Sequence, residues 1–284
     1  MGLATTAELL TSAAADSRGL AAFNVITLEY AEAIVRGAES VDRPVILQLS
    51  ENAVRFHGGA PRPLTAAMRE LAAASSVGVS LHLDHVEEEE LLRQSADAGF
   101  SSVMFDAGRL PYEENEASTA RAAEWAHAAG LLVEAELGFV GGKDSQTTSA
   151  HAPGTRTDPD QATAFVAATG VDALAVAVGS SHAMTQRTAA LDEELIAALH
   201  AAVGVPLVLH GSSGVPDDDL RRAVAAGITK VNVGTLLSVA YTSAVRDFLD
   251  GDAQATDPRK YLAPARDKIS SVVADLLLVI DHRP

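Results

Sequence analysis

Eight short apolar runs punctuate the chain: Leu20–Val25, Pro44–Ser50, Val79–His85, Ser101–Asp106, Leu131–Glu136, Asp172–Val178, Val205–His210 and Ile228–Val233. Most are rich in Val, Ile or Leu, and several are almost wholly apolar, as parallel strands covered on both faces should be. Ala-rich segments at helical spacing separate them, most clearly at Tyr30–Ser40, Leu64–Ser75, Glu87–Ala98, Glu116–Ala129, Asp160–Thr169, Asp192–Ala202 and Pro216–Ala226. Gly99, Gly130, Gly170, Gly204 and Gly227 precede the next run, where helices commonly stop. Pro216 followed by three aspartates suits a helix first turn. Thr5 with Glu8 reads as a capping box on a first helix. Met1-Gly2 with Thr6 also fits the loose myristoylation pattern, a reading the capping box displaces.

Eight strands alternating with helices predict an α/β chain folded as a (β/α)8 TIM barrel, one domain over residues 1–284. The alternative is an open doubly wound sheet, but no GxGxxG or GxxxxGK[ST] follows the first run. The connection from Gly138 to Asp158 is long and without period, so a mobile loop after the fifth strand is expected. The tail after Asp250 carries DPRKYLAPARDKI and then a last helix, a C-terminal helical extension.

Barrel enzymes place their chemistry at the C-terminal ends of the strands. The runs here end in Phe23-Asn24, in Gln48-Leu49-Ser50, in Asp84-His85, in Asp106 and in Glu134-Ala135-Glu136. The last three run out through Gly179-Ser180-Ser181-His182, His210-Gly211-Ser212-Ser213-Gly214 and Asn232-Val233-Gly234-Thr235. Gln48/Ser50, Glu134/Glu136 and Lys230/Asn232 share one face by period two, the expected barrel interior. His85, His182 and His210 each follow a different strand, and three imidazoles with an open position make a catalytic zinc site. Asp84 stays free for proton transfer. Asp106 and Glu136 either fix imidazole tautomers as acceptors or serve as alternative metal ligands. His82 lies deeper and reads as a hydrogen-bonded core histidine. The glycine-rich turns after the seventh and eighth runs can cradle a phosphate with backbone N–H groups.

Composition narrows the classes. The formal charge of −17 excludes a sequence-independent nucleic-acid binder. No apolar run approaches a membrane span, and the start lacks the basic and apolar regions of a secretory signal. Cysteine is absent, which removes thiolate zinc sites and fits a reducing, cytoplasmic setting. A Schiff-base aldolase needs a desolvated lysine, and of four lysines only Lys230 lies in a run. A metal amidohydrolase needs His-x-His on the first strand, where Ala22-Phe23-Asn24 stands.

The chain resembles the zinc-dependent class II ketose-bisphosphate aldolases, the fructose- and tagatose-bisphosphate aldolases, along nearly its whole length. The likeness runs through AFN at Ala22–Asn24, HLDH at His82–His85, FDA at Phe105–Ala107 and VEAELG at Val133–Gly138. It continues through Gly141-Gly142, TGVDALAVAVGSSH at Thr169–His182, LHGSSG at Leu209–Gly214, KVNVGT at Lys230–Thr235 and DPRKYL at Asp257–Leu262.

The resemblance implies a Zn2+ ion on His85, His182 and His210, with Asp84 as the acid serving the aldehyde oxygen. It implies that Gly211, Ser213, Asn232 and Thr235 hold the dihydroxyacetone-phosphate end, with Asn24, Ser50, Ala183, Ser212 and Gly234 in the same substrate-facing set. Arg259 matches an arginine that reaches the distal phosphate from a neighbouring subunit, which implies a homodimer or homotetramer. A monovalent cation, Na+ or K+, near the phosphate is also implied. Asp144 stands where the family's loop carries the glutamate that moves the carbon-bound proton. Ala183 replaces a usual glycine, Leu236 a usual acid and Gly108 a usual serine, while Gly234 leans towards the tagatose branch. The expected function is a metal-dependent aldolase cleaving a ketose bisphosphate to dihydroxyacetone phosphate and glyceraldehyde 3-phosphate. The alternative is a catalytically altered barrel that binds sugar phosphates as an accessory subunit.

Overall fold

The computed structural model describes residues 2–138, 140 and 156–281. Asp144, the expected loop acid, lies outside them. Eight parallel strands close into a barrel: β2 (Leu20–Asn24), β3 (Val45–Ser50), β4 (Gly78–Val86), β5 (Ser102–Phe105), β6 (Leu132–Leu137), β7 (Ala173–Val176), β8 (Leu207–Leu209) and β9 (Ile228–Val233). Each pairs with its sequence neighbour, and β9 closes on β2. A two-residue strand, β1 (Gly2–Leu3), adds in parallel to the base of β4.

Strand alternation splits the barrel into two apolar environments. Phe23, Leu47, Leu49, Leu81, Leu83, Val133, Leu174, Leu209 and Val231 point outward into one large core beneath the helices. Leu20, Ala22, Ile46, Ala173, Ala175 and Val208 point inward and form a second, smaller cluster with Leu10 and Ala13 of α1 (Thr6–Ala15). Helix α1 therefore plugs the lower end. Its start is the expected capping box: Thr5 accepts from the Glu8 amide and Glu8 reaches back to the Thr5 amide. Above that apolar floor the inward positions turn polar. Gln48, His82, Asp84, Glu134, Lys230 and Asn232 are all buried.

The expected outer helices are present as α2 (Leu28–Ser40), α4 (Arg62–Ala74), α5 (Glu89–Ala98), α6 (Tyr112–Ala128), α7 (Pro159–Thr169), α8 (Glu193–Ala202) and α9 (Asp217–Ala226). Two more were not read from the pattern: the short α3 (Glu51–Phe56) and α10 (Thr235–Gly251). The last helix, α11 (Pro258–Ile280), starts within DPRKYLAPARDKI rather than after it, because Asp257 caps it and Pro258 suits a first turn.

Candidate active site

The site forms where β4 breaks its regular pairing. Adjacent residues on a regular strand face opposite sides, so Asp84 and His85 could not both enter the barrel mouth. The pairing of β4 with β5 shifts between Leu83 and Val86, and His85 adopts a left-handed backbone with φ +50°. This bulge turns the imidazole back towards the mouth beside Asp84.

His182 arrives from the turn after β7 and His210 from the end of β8. Gly211 lets them converge: at φ +66°, a Cβ there would sit 2.6 Å from the Ser181 carbonyl carbon. The ring centroids lie 5.2 Å (His85–His182), 5.0 Å (His85–His210) and 5.7 Å (His182–His210) apart. One ring nitrogen from each lies within 4.8 Å of the other two, a set that fits a divalent ion with an open coordination position.

Carboxylates hold two of these rings. His85 Nδ1 is 2.7 Å from Asp106 Oδ2, so Nε2 is the nitrogen left to ligate. His210 is held on both sides, with Nδ1 2.8 Å from Glu136 Oε2 and Nε2 2.9 Å from Glu134 Oε1. Asp106 and Glu136 each lie within hydrogen-bond distance of an imidazole Nδ1, on His85 and His210 respectively. Burial would lower the His210 pKa, but hydrogen bonds to Glu134 and Glu136 outweigh it and push it up to about 10. His85 is also raised, as Asp84 and the Asp106 hydrogen bond overcome burial. His82 behaves as a core histidine: Nδ1 meets Ser102 Oγ at 2.7 Å, and burial, then Lys230, push its pKa down to about 3.

Asp84 is 2% exposed. Gln48 Nε2 donates to Asn24 Oδ1 at 2.9 Å, and Asn24 Nδ2 donates to Asp84 Oδ2 at 3.3 Å. Asp84 Oδ1 is buried with no hydrogen-bond partner among the described residues. Burial opposes its charge, but His85, His82, His210 and Lys230 hold the carboxyl well below the ordinary range. Asp84 is therefore an anion with one oxygen that none of the described residues partners.

A cavity of about 290 Å³ covers this cluster. Asn24, Ser50, Asp84, His85, His182, Ala183, Gly211, Ser213, Asn232, Gly234 and Thr235 all line it. Ile26, Asn52 and Ser238 line it too and were not anticipated. Ser212 does not; its hydroxyl donates to the Asn232 carbonyl and fixes the turn. Ser213 Oγ accepts from the Leu236 amide in the first turn of α10, whose N-terminus opens on the cavity. A Cβ at Gly234 would lie 2.6 Å from Asn24 Oδ1, so a side chain there would have to displace that amide. Ala183 sits at φ +59°, where a side chain costs roughly 1–2 kcal/mol, which accounts for glycine being usual there. Arg259 is 88% exposed, pairs with Asp257 and takes no part in this chain's cavity. Lys230, the one strand lysine among the described residues, is 1% exposed, does not line the cavity and is ion-paired to Glu134.

A closed (β/α)8 barrel with three convergent imidazoles and a buried aspartate at its C-terminal mouth has the donor set that metal-assisted barrel lyases and hydrolases use. The comparisons narrow that class. Residues 4–282 match the family described as fructose-bisphosphate aldolase class-II, and the chain belongs to that family of carbon–carbon lyases. It is 38% identical over 277 residues to the fructose-bisphosphate aldolase of Staphylococcus aureus (strain N315), covering 96% of this chain and 95% of that one. It is also 38% identical over 274 residues to the fructose-bisphosphate aldolase of Geobacillus stearothermophilus, with the same coverage. Among solved structures, the YdjI aldolase from Escherichia coli K12 superposes with a TM-score of 0.83 at 30% identity, covering 99% of this chain and 98% of that one.

Proposed function

We propose that this protein is a zinc-dependent aldolase that reversibly cleaves a fructose- or tagatose-type ketose 1,6-bisphosphate. The products would be dihydroxyacetone phosphate and glyceraldehyde 3-phosphate. The observation that carries the reading is the three-nitrogen cluster beside Asp84 Oδ1, which has no partner among the described residues. His85, His182 and His210 would hold the ion, which when bound supplies Lewis acidity towards the ketone oxygen. The phosphate of the three-carbon end would rest on the Gly211 and Ser213 turn, Asn232, Thr235 and the N-terminus of α10, where backbone N–H groups and the helix dipole favour an anion. A monovalent cation there would add to the same neutralisation.

The C4 hydroxyl of the ketose would lie against Asp84. As the C3–C4 bond breaks, Asp84 takes the hydroxyl proton, the aldehyde forms at C4, and the bond pair stays on C3, delocalised into the neighbouring carbonyl. A loop acid, for which Asp144 is the candidate, then returns a proton to C3. Arg259, exposed and near the start of α11, would meet the distal phosphate of a second copy in a homodimer or homotetramer. A cytoplasmic setting accords with a phosphorylated sugar substrate.

The test is a panel of fructose and tagatose bisphosphates and their 1-phosphate analogues, run with zinc and after chelation. Zinc-dependent cleavage of a bisphosphate is expected. Full activity after complete metal removal would end the proposal, and binding without turnover of any member would favour an accessory role.

Zinc uptake should also release protons. Raised to about 10, His210 carries an extra proton at pH 7 that a ligand nitrogen must lose, so zinc affinity should climb as pH rises towards that value. Calorimetry in buffers of different ionisation enthalpy should count about one proton or more released per zinc at pH 7. A heat independent of buffer would contradict this.

A further inference from the structure

Below the mouth lies a buried ion pair that the proposed reaction does not touch. Lys230 Nζ is 2.7 Å from Glu134 Oε2, and both side chains are 1% exposed. They stand on β9 and β6, which are not neighbours. The pair therefore crosses the barrel interior, where Ala173 and Ala175 of β7 present only methyl groups. A buried Lys–Glu pair contributes little more than apolar residues of similar size, so packing alone does not explain it. The third contact does. Glu134 Oε1 is 2.9 Å from His210 Nε2. His82 Nε2, at 4.0 Å from Glu134 Oε2, is too distant to serve as a further grip.

We propose that Lys230 and Glu134 are positioning residues: Lys230 occupies one carboxylate oxygen, so the other accepts the Nε2–H of His210 and leaves Nδ1 for the metal. The inference rests on the proposed reading only in taking a metal at the three-histidine site. Glu136 contrasts with Glu134. Its side chain is 10% exposed and approaches Nδ1 itself, so it can give way to an ion or join its ligands. Glu134 is engaged at both oxygens and cannot do either. Without Lys230, its freed oxygen would be a second, competing ligand beside the ion.

Two measurements test the clamp. In zinc-loaded protein with 15N-labelled histidine, long-range 1H–15N correlation should show His210 protonated at Nε2 and metal-bound at Nδ1. Binding through Nε2 would overturn the proposal, and this readout needs no variant. Zinc affinity, measured by competition with a chromophoric chelator, should fall roughly 10–100-fold in Lys230→Met and in Glu134→Ala. In the double variant Lys230→Gln/Glu134→Gln, the amide oxygen introduced at position 134 can still accept from His210 Nε2–H while its NH2 donates to the amide oxygen at position 230, so most of that loss should be recovered. Single variants that bind zinc as the parent does, or a double variant no better than the singles, would refute it. Neither readout depends on turnover, so a protein that cleaves no ketose phosphate but shows this tautomer would retire the aldolase reading and keep the clamp.

Discussion

Replacing His85 with alanine is expected to lower kcat/KM for ketose bisphosphate cleavage by on the order of 10³-fold or more, even with excess zinc. The ring is one of three nitrogen donors, and Asp106 at 2.7 Å already fixes which nitrogen it offers. Two imidazoles alone cannot complete a structure of three protein ligands and one open position. The loss should be chemical rather than conformational. His85 already occupies a left-handed backbone at φ +50°, and alanine tolerates that geometry about as well as histidine does. The side chain also sits at the mouth, above the apolar core that stabilises the barrel. Zinc content by atomic absorption should drop well below one per chain while the thermal midpoint of the metal-free protein stays within a few degrees. A variant that keeps stoichiometric zinc and parental activity would remove His85 from the site. Asp106→Asn offers a graded comparison. It weakens the acceptor that orients the ring without removing the ligand, so a loss of about 10-fold in zinc affinity is expected.

The barrel was readable because its strands announce themselves as apolar runs broken by polar exits. Ile228–Val233 appears with the same bounds in sequence and structure. The run Val205–His210 shrinks to Leu207–Leu209, since Pro206 has no N–H to place in a ladder and His210 leaves it to meet Glu134 and Glu136. Helices α3 and α10 were hidden for different reasons. Six residues hold too little period to register, and the start of α10 coincides with the glycine-rich turn. The three histidines and Asp84 were legible as strand exits. The device that lets Asp84 and His85 act together was not, because a bulge is a property of pairing between strands. Lys230 and Glu134 were visible as inward-facing residues on separate strands. Their meeting depends on closure of the barrel across β7 and β8, which no local spacing encodes. Arg259 is the reverse case: its proposed role came from resemblance, and the single chain holds it out in solvent against Asp257.

Replacing Asp84 with asparagine should separate the two proton transfers that the proposed mechanism assigns to different residues. Asparagine keeps the shape, and its carbonyl can still accept from Asn24 Nδ2, so the Gln48–Asn24 chain beneath it survives. What vanishes is the anionic Oδ1, the atom left without a partner among the described residues. Cleavage and condensation both need a proton moved at the C4 oxygen, and both should slow by roughly 10²–10⁴-fold. KM should change little, because the proposed phosphate cradle of Gly211, Ser213, Asn232 and Thr235 lies on other strands. Exchange of the C3 proton of dihydroxyacetone phosphate with solvent requires only the ion and the loop acid, so it should continue at a large fraction of the parental rate. With zinc kept saturating, the parent's cleavage rate should hold at mildly acidic pH, since the site's charges keep Asp84 ionised well below the ordinary carboxylate range. Proton exchange followed by NMR in deuterated water, beside a coupled cleavage assay on the same preparation, measures both. If exchange and cleavage fall together, Asp84 is not confined to the aldehyde oxygen and the division of labour is wrong. If neither falls, the aspartate is structural, and the proton at C4 is carried by another group within reach of the same cavity.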